Sequence, residues 1–140
     1  MIRLAAILLS IVFAGCGAAP SQELPTVDLG AQFTLAPGAT MLVKNAGIKV
    51  RFIAVTEDSR CPRDVTCIWA GEVKVQLEID DTKATSPVEI LEGGSAAAGA
   101  YRVTLVRVEP QPVSSARIAP QDYRVTLKID NLGQSAGENR

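Results

Sequence analysis

Histidine is absent from the 140 residues, and that absence removes whole classes of chemistry. No Ser-His-Asp or Cys-His nucleophile system can be assembled, nor any His-bearing zinc or non-haem iron site. Aromatic side chains are scarce, with one Trp, two Tyr and three Phe, which leaves little to line a sugar-stacking cleft. A surplus of positive charge is missing as well: 14 Lys and Arg stand against 15 Asp and Glu, a formal net charge of -1. The basic residues are scattered rather than clustered, so nucleic acid is not an expected partner. Nor is there a long apolar run. The longest, 4–13, has 10 residues with only Ser10 not apolar, well short of the roughly 20 that a helix needs to cross the hydrocarbon layer.

What that run does suit is the apolar core of an export signal, preceded by the single charge of Arg3. Directly after it, Phe13-Ala14-Gly15-Cys16 resembles a bacterial lipobox, with Phe13 where an aliphatic residue is usual. The resemblance implies that residues 1–15 are removed and that Cys16 is acylated and becomes the new N-terminus; the alternative is ordinary cleavage near Ala18 or Ala19. Loss of Arg3 leaves 13 basic against 15 acidic residues. Residues 16–25 hold the lipidated Cys and a small, polar, Pro-containing stretch that reads as a flexible tether. Where the cell has two membranes, Gly17 in place of an Asp after the anchor favours the outer one, again by resemblance.

Acylation of Cys16 changes the cysteine count. Cys61 and Cys67 then remain as a pair in an oxidising compartment, and their C-x5-C spacing closes a small ring that contributes about 2 kcal/mol on loop-entropy grounds. The competing metal-site reading lacks enough neighbouring thiolates or imidazoles. No metal and no cofactor is expected.

The rest of the chain reads as strands. Residues 72–80 alternate, with Val73, Val75, Leu77 and Ile79 on one side and charged or polar residues on the other; 123–130 repeat the pattern through Tyr123, Val125, Leu127 and Ile129. Residues 47–56 alternate through Phe52 and then become apolar on both faces at Ile53, Ala54 and Val55, so this second half is expected to be covered. Residues 101–109 change phase at Leu105 and Val106, which predicts a bulge. Shorter strands are expected at 32–35, 40–43 and 88–91, and a mobile loop at 93–100. The connection 112–121 makes a sheet crossing or a short helical turn. Tyr-Arg-Val-Thr-Leu occurs twice, at 101–105 and 123–127, as two half-buried strands under the same constraints. About seven strands separated by turn residues predict an all-β fold, an antiparallel β-sandwich of immunoglobulin-like architecture over residues 26–131, followed by a polar tail at 132–140.

Residues 57–71 read EDSRCPRDVTCIWAG and contain both remaining cysteines and the sole Trp. They resemble a signature of small bacterial secreted proteins and lipoproteins, D-S-R-C-P followed by C-x-W-x-G, matched here at Asp58, Ser59, Arg60, Cys61, Pro62, Cys67, Trp69 and Gly71. The resemblance covers about 15 residues and brings no catalytic residue. If the following strand began at Cys67, then Cys67, Trp69, Gly71 and Val73 would share a face, with Trp69 packed beside the disulfide over the end of the core. The functional alternative is a rigid ring that displays Arg60, Arg63 and Asp64 to a partner, with Asp58 and Trp69 in the same loop. Glu57, Asp58, Asp64 and Glu72 form either a calcium site or a charged rim paired with Arg60 and Arg63.

These features predict an exported, lipid-anchored module of the cell envelope that binds or supports rather than catalyses, held to the membrane by its lipid and partnered by another envelope protein. The alternative is an inhibitor or ligand-sensing module working through the 57–71 loop. An enzyme, through paired carboxylates or a redox-active cysteine pair, comes third.

Overall fold

The computed structural model describes residues 23–133. The export signal, Cys16, most of the tether and most of the C-terminal tail lie outside them. Nine strands form two packed sheets: β1 Thr26–Val27, β2 Gln32–Leu35, β3 Thr40–Val43, β4 Ile48–Asp58, β5 Val73–Asp80, β6 Thr85–Leu91, β7 Ser95–Ala98, β8 Tyr101–Glu109 and β9 Arg124–Asn131. One sheet has the order β1-β3-β4-β5-β6 and the other β2-β9-β8-β7. All pairings are antiparallel except β1 with β3. The chain is thus an all-β sandwich.

Its core follows directly from the alternation. Val73, Val75, Leu77 and Ile79 of β5 are buried against Val125, Leu127 and Ile129 of β9, Val103 and Leu105 of β8, and Val50 and Phe52 of β4. No polar or charged residue is buried among the described residues. Full burial of such side chains contributes roughly 1.5–3 kcal/mol each, so β4, β5, β8 and β9 carry the hydrophobic stability. The two Tyr-Arg-Val-Thr-Leu copies lie in β8 and at the start of β9, neighbours in one sheet, with Leu105 opposite Leu127. Their valines and leucines point inward and their Arg and Thr residues outward.

The phase changes appear as bulges. β8 skips a position between Leu105 and Arg107 against β9, which leaves Val106 exposed. β4 slips twice against β5, between Phe52 and Ala54 and between Val55 and Glu57. Past Phe52, Ile53, Ala54 and Val55 are each partly buried, and they form one wall of a groove of ≈ 470 Å³ whose other side is Arg117, Ile118, Pro120 and Tyr123. The connection after β8 begins with a cis Glu109–Pro110 peptide, makes an isolated bridge between Val113 and Ala116, and ends in a 3-10 turn, Pro120–Asp122.

Two expectations need correction. The 93–100 stretch is not simply a loop, because Ser95–Ala98 pairs with β8 as an edge strand; short alanines carry little strand propensity, and the pairing comes from the tertiary template of β8. The strand after the cysteine loop begins at Val73 rather than Cys67. Gly71 is the cause: it sits at φ 70, in the left-handed region, and swings the chain out of the strand's alternation.

Candidate functional site

At one end of the sandwich, β4 delivers Asp58 and the chain leaves the sheet into the loop that closes at Val73. The two arms of this loop continue the β4–β5 pairing beyond the strands. Ser59 N–H donates to the Glu72 carbonyl at 2.8 Å and Cys61 N–H to the Ala70 carbonyl at 2.9 Å. The Ser59 hydroxyl adds a bond to the Glu72 carbonyl and accepts from Glu72 N–H, both at 3.1 Å. A two-chain finger results. Its tip is closed by the Cys61–Cys67 disulfide, with Cα atoms 5.9 Å apart, an ordinary separation for such a bridge. Gly71 is required where the arms approach: a Cβ built there would lie 1.8 Å from the Ser59 carbonyl oxygen.

The base of the finger is fixed by a polar clasp. Asp58 and Arg60 pair in bidentate fashion, Nε to Oδ1 at 2.8 Å and Nη2 to Oδ2 at 2.6 Å, with their side chains only 11% and 8% exposed. Arg60 Nη1 also donates to the Val108 carbonyl at 2.8 Å and Nη2 to the Pro110 carbonyl at 3.1 Å. The Tyr123 hydroxyl donates to Asp58 Oδ2 at 2.9 Å. Asp58 ends a strand of one sheet, whereas Val108 lies in the other and Tyr123 directly precedes its strand β9, so the clasp ties the sheets together at this end. Glu92 Oε1 accepts from Val108 N–H at 2.7 Å and holds the same corner.

The electrostatics follow from this arrangement. Burial pushes the Asp58 carboxyl up, but the hydrogen bonds from Arg60 and Tyr123 and the Arg60 charge together outweigh it, and its pKa lies below the ordinary carboxylate value. Burial, then the bond to the Asp58 carboxylate, raises the Tyr123 phenol to about 12. Arg60 is held in its charged form by Asp58 against the cost of its own burial.

Arg60 is therefore not a displayed residue. It donates to the Val108 and Pro110 carbonyls as well as to Asp58, and its five donors in a planar fork make it suited to that role. Arg63 and Asp64 are exposed as expected, but Asp64 is engaged: it accepts from Ser114 N–H at 2.8 Å and from the Ser114 hydroxyl, which lowers its pKa. Arg63 N–H donates to the Pro112 carbonyl at 3.0 Å, so the 111–122 connection braces the finger along its side. The carboxylates do not converge. Glu57 and Glu72 share Lys74, Asp58 pairs with Arg60, and Asp64 with Ser114. Among the described residues no three Asp, Glu, Cys or His side chains group as metal ligands.

The largest departure from the sequence reading is Trp69. It does not cover the core; it is 81% exposed at the tip, beside Ile68 at 95% and Val65 at 45%. The physical reason is the reversal at Gly71, which cancels the shared parity of Trp69 with Val73. Asp58, Ser59, Arg60, Cys61, Cys67 and Gly71 all serve the frame, and Trp69 and Ile68 are what that frame holds out to solvent. Ile68 carries no signal of its own in the sequence, since one aliphatic residue beside a Trp reads as core.

No family model matches the chain, and neither a curated protein nor a solved structure matches it significantly.

Proposed function

We propose that the chain is an exported, lipid-anchored, non-catalytic binding module of the cell envelope, and that its binding element is the tip of the disulfide-closed finger. The observation that carries this reading is the exposure of Ile68 and Trp69 at 95% and 81% on a frame fixed by a disulfide, a partly buried ion pair and the backbone bonds between its arms. A large apolar side chain left in water is costly unless a partner covers it, and a rigid presentation reduces the entropy lost when the partner arrives. The anchor rests on the likeness of 13–16 to a lipobox, with outer-membrane placement where two membranes exist.

The inhibitor alternative fits less well. A protease inhibitor offers an extended segment to the active-site cleft, whereas this loop turns or bends at 63–65 and again at 68–69. Binding through the tip is tested by placing a photo-crosslinking residue at position 68, or at Lys83 in the turn between β5 and β6, in intact cells. Adducts at 68 and not at 83 are expected. Equal yields at both positions would remove the tip as the binding element.

A further inference from the structure

The finger points the same way as the described chain runs when followed back from Val27 to Glu23. Thr26 and Val27 of β1 pair in parallel with Leu42 and Val43 of β3, and β3 runs antiparallel to β4 with Thr40 opposite Arg51 and Val43 opposite Ile48. Followed backward from Val27, the chain therefore climbs the sheet toward the end where β4 finishes and the finger begins. Leu24 lines a shallow groove together with Thr40, Lys49 and Arg51, and extended backbone places Glu23 near the level of Phe52, which pairs with Leu77. From Leu77 to Trp69 along the strand and the finger arm is eight residues, at most about 26 Å at the strand rise and less because the chain swings at Gly71. From Glu23 to Cys16 is seven residues, which span at most about 25 Å. The tether is long enough to span the height of the finger, so Cys16 and Trp69 can lie in one plane.

We propose that the tip residues Val65, Ile68 and Trp69 enter the interfacial layer of the same bilayer that holds the lipid on Cys16, making the finger a second point of membrane attachment that fixes the orientation of the domain. This deepens the binding reading above and rests on its anchor. Trp at the boundary of water and hydrocarbon places its ring in the apolar layer and its N–H among the headgroups. The neighbouring charges suit a neutral approach, with Arg63 beside Asp64. A narrow finger with three apolar side chains also offers far less than the roughly 800 Å² per side of a specific protein interface. A bilayer makes no such demand of shape. With one acyl-bearing residue and one apolar tip, the domain is held at two points, and its groove along Ile53–Val55 and Ile118 keeps a fixed attitude to the surface.

Trp69 is the sole tryptophan, which makes it its own probe. The natural chain, purified from cells, is reconstituted into vesicles of phosphatidylethanolamine and phosphatidylglycerol, with and without brominated acyl chains, and floated on a density gradient. The inference expects the chain to float, Trp69 emission to be quenched by the brominated lipid, and acrylamide quenching to fall several-fold relative to the delipidated chain in buffer. Ile68→Ser should keep its melting curve and lose most of the protection. A chain that floats with Trp69 still open to acrylamide and untouched by brominated lipid overturns the inference, leaves the anchor standing, and gives the tip to a protein partner. A chain that does not float overturns the anchor and the inference together.

Discussion

The Tyr123 hydroxyl donates to Asp58 Oδ2 at 2.9 Å and by that bond joins the end of β4 in one sheet to the entry of β9 in the other. The disulfide does no such bridging, since it closes a ring within one loop. The sheets of this sandwich are pinned at the finger end by a carboxylate that accepts from an arginine and a phenol at once.

Burial of the Tyr123 phenol together with that bond makes stability depend on pH at the alkaline end. The folded-state Tyr123 pKa is raised to about 12 from an ordinary 10.0, so the folded chain holds the proton more tightly than the unfolded chain does. The contribution is fully present below pH 10 and is lost as pH climbs toward 12. Chemical denaturation from pH 8 to 12 should show this loss in the natural chain and a smaller one in Tyr123→Phe. At the acid end Asp58 acts in the opposite sense: its depressed pKa contributes stability above the ordinary carboxylate range, lost as pH falls through the folded value.

Arg60 and Arg63, three residues apart, should behave differently. Arg60→Ala leaves Asp58 without its ion partner and strips the Val108 and Pro110 carbonyls of a donor, at a cost of about 3 kcal/mol. Arg63→Ala removes an exposed side chain and should stay within about 0.5 kcal/mol of the natural chain. Paired urea melts decide it; equal values for the two variants contradict a structural Arg60.

Gly71→Ala tests the turn of the finger. Its left-handed backbone and the Ser59 carbonyl at 1.8 Å from any Cβ leave no room for a methyl group, and the variant should lose about 2 kcal/mol or more. Its arms must separate, so amide exchange at Ser59 and Cys61 should accelerate more than in the core.

Replacing both Cys61 and Cys67 with Ser removes a ring of short span and should lower stability by about 2 kcal/mol. Because neither residue contributes to the hydrophobic core, exchange protection in β5 and β9 should fall only with the global stability. Greater local loss in the finger than in those strands is the expected pattern.

Much of the fold was legible because β5 and β9 alternate without a break and β8 announces its bulge by adjacent apolar residues, whereas the apolar run in β4 read as cover and not as the two register shifts it contains. Strands β1 and β7 were not, because two residues and a run of alanines gain their pairing from neighbours rather than from pattern. At the finger, the cysteine pair was readable and the roles of Arg60 and Trp69 were inverted. Charge suggested display for the arginine and size suggested burial for the tryptophan. A glycine at φ 70 and the backbone carbonyls of Val108, in β8, and Pro110, just beyond it, decided otherwise, and neither the turn nor the contact is visible in local sequence.

The central claim is that the frame holds Trp69 out into water. The most direct measurement is the fluorescence of this sole tryptophan in the acyl-free mature chain, in buffer without lipid or detergent, before and after unfolding in guanidinium. The account predicts a native emission maximum that already lies at the unfolded position, with acrylamide quenching nearly as strong as in the denatured chain. A native spectrum shifted to shorter wavelength, moving red on unfolding and shielded from acrylamide, would place Trp69 in the core and contradict it.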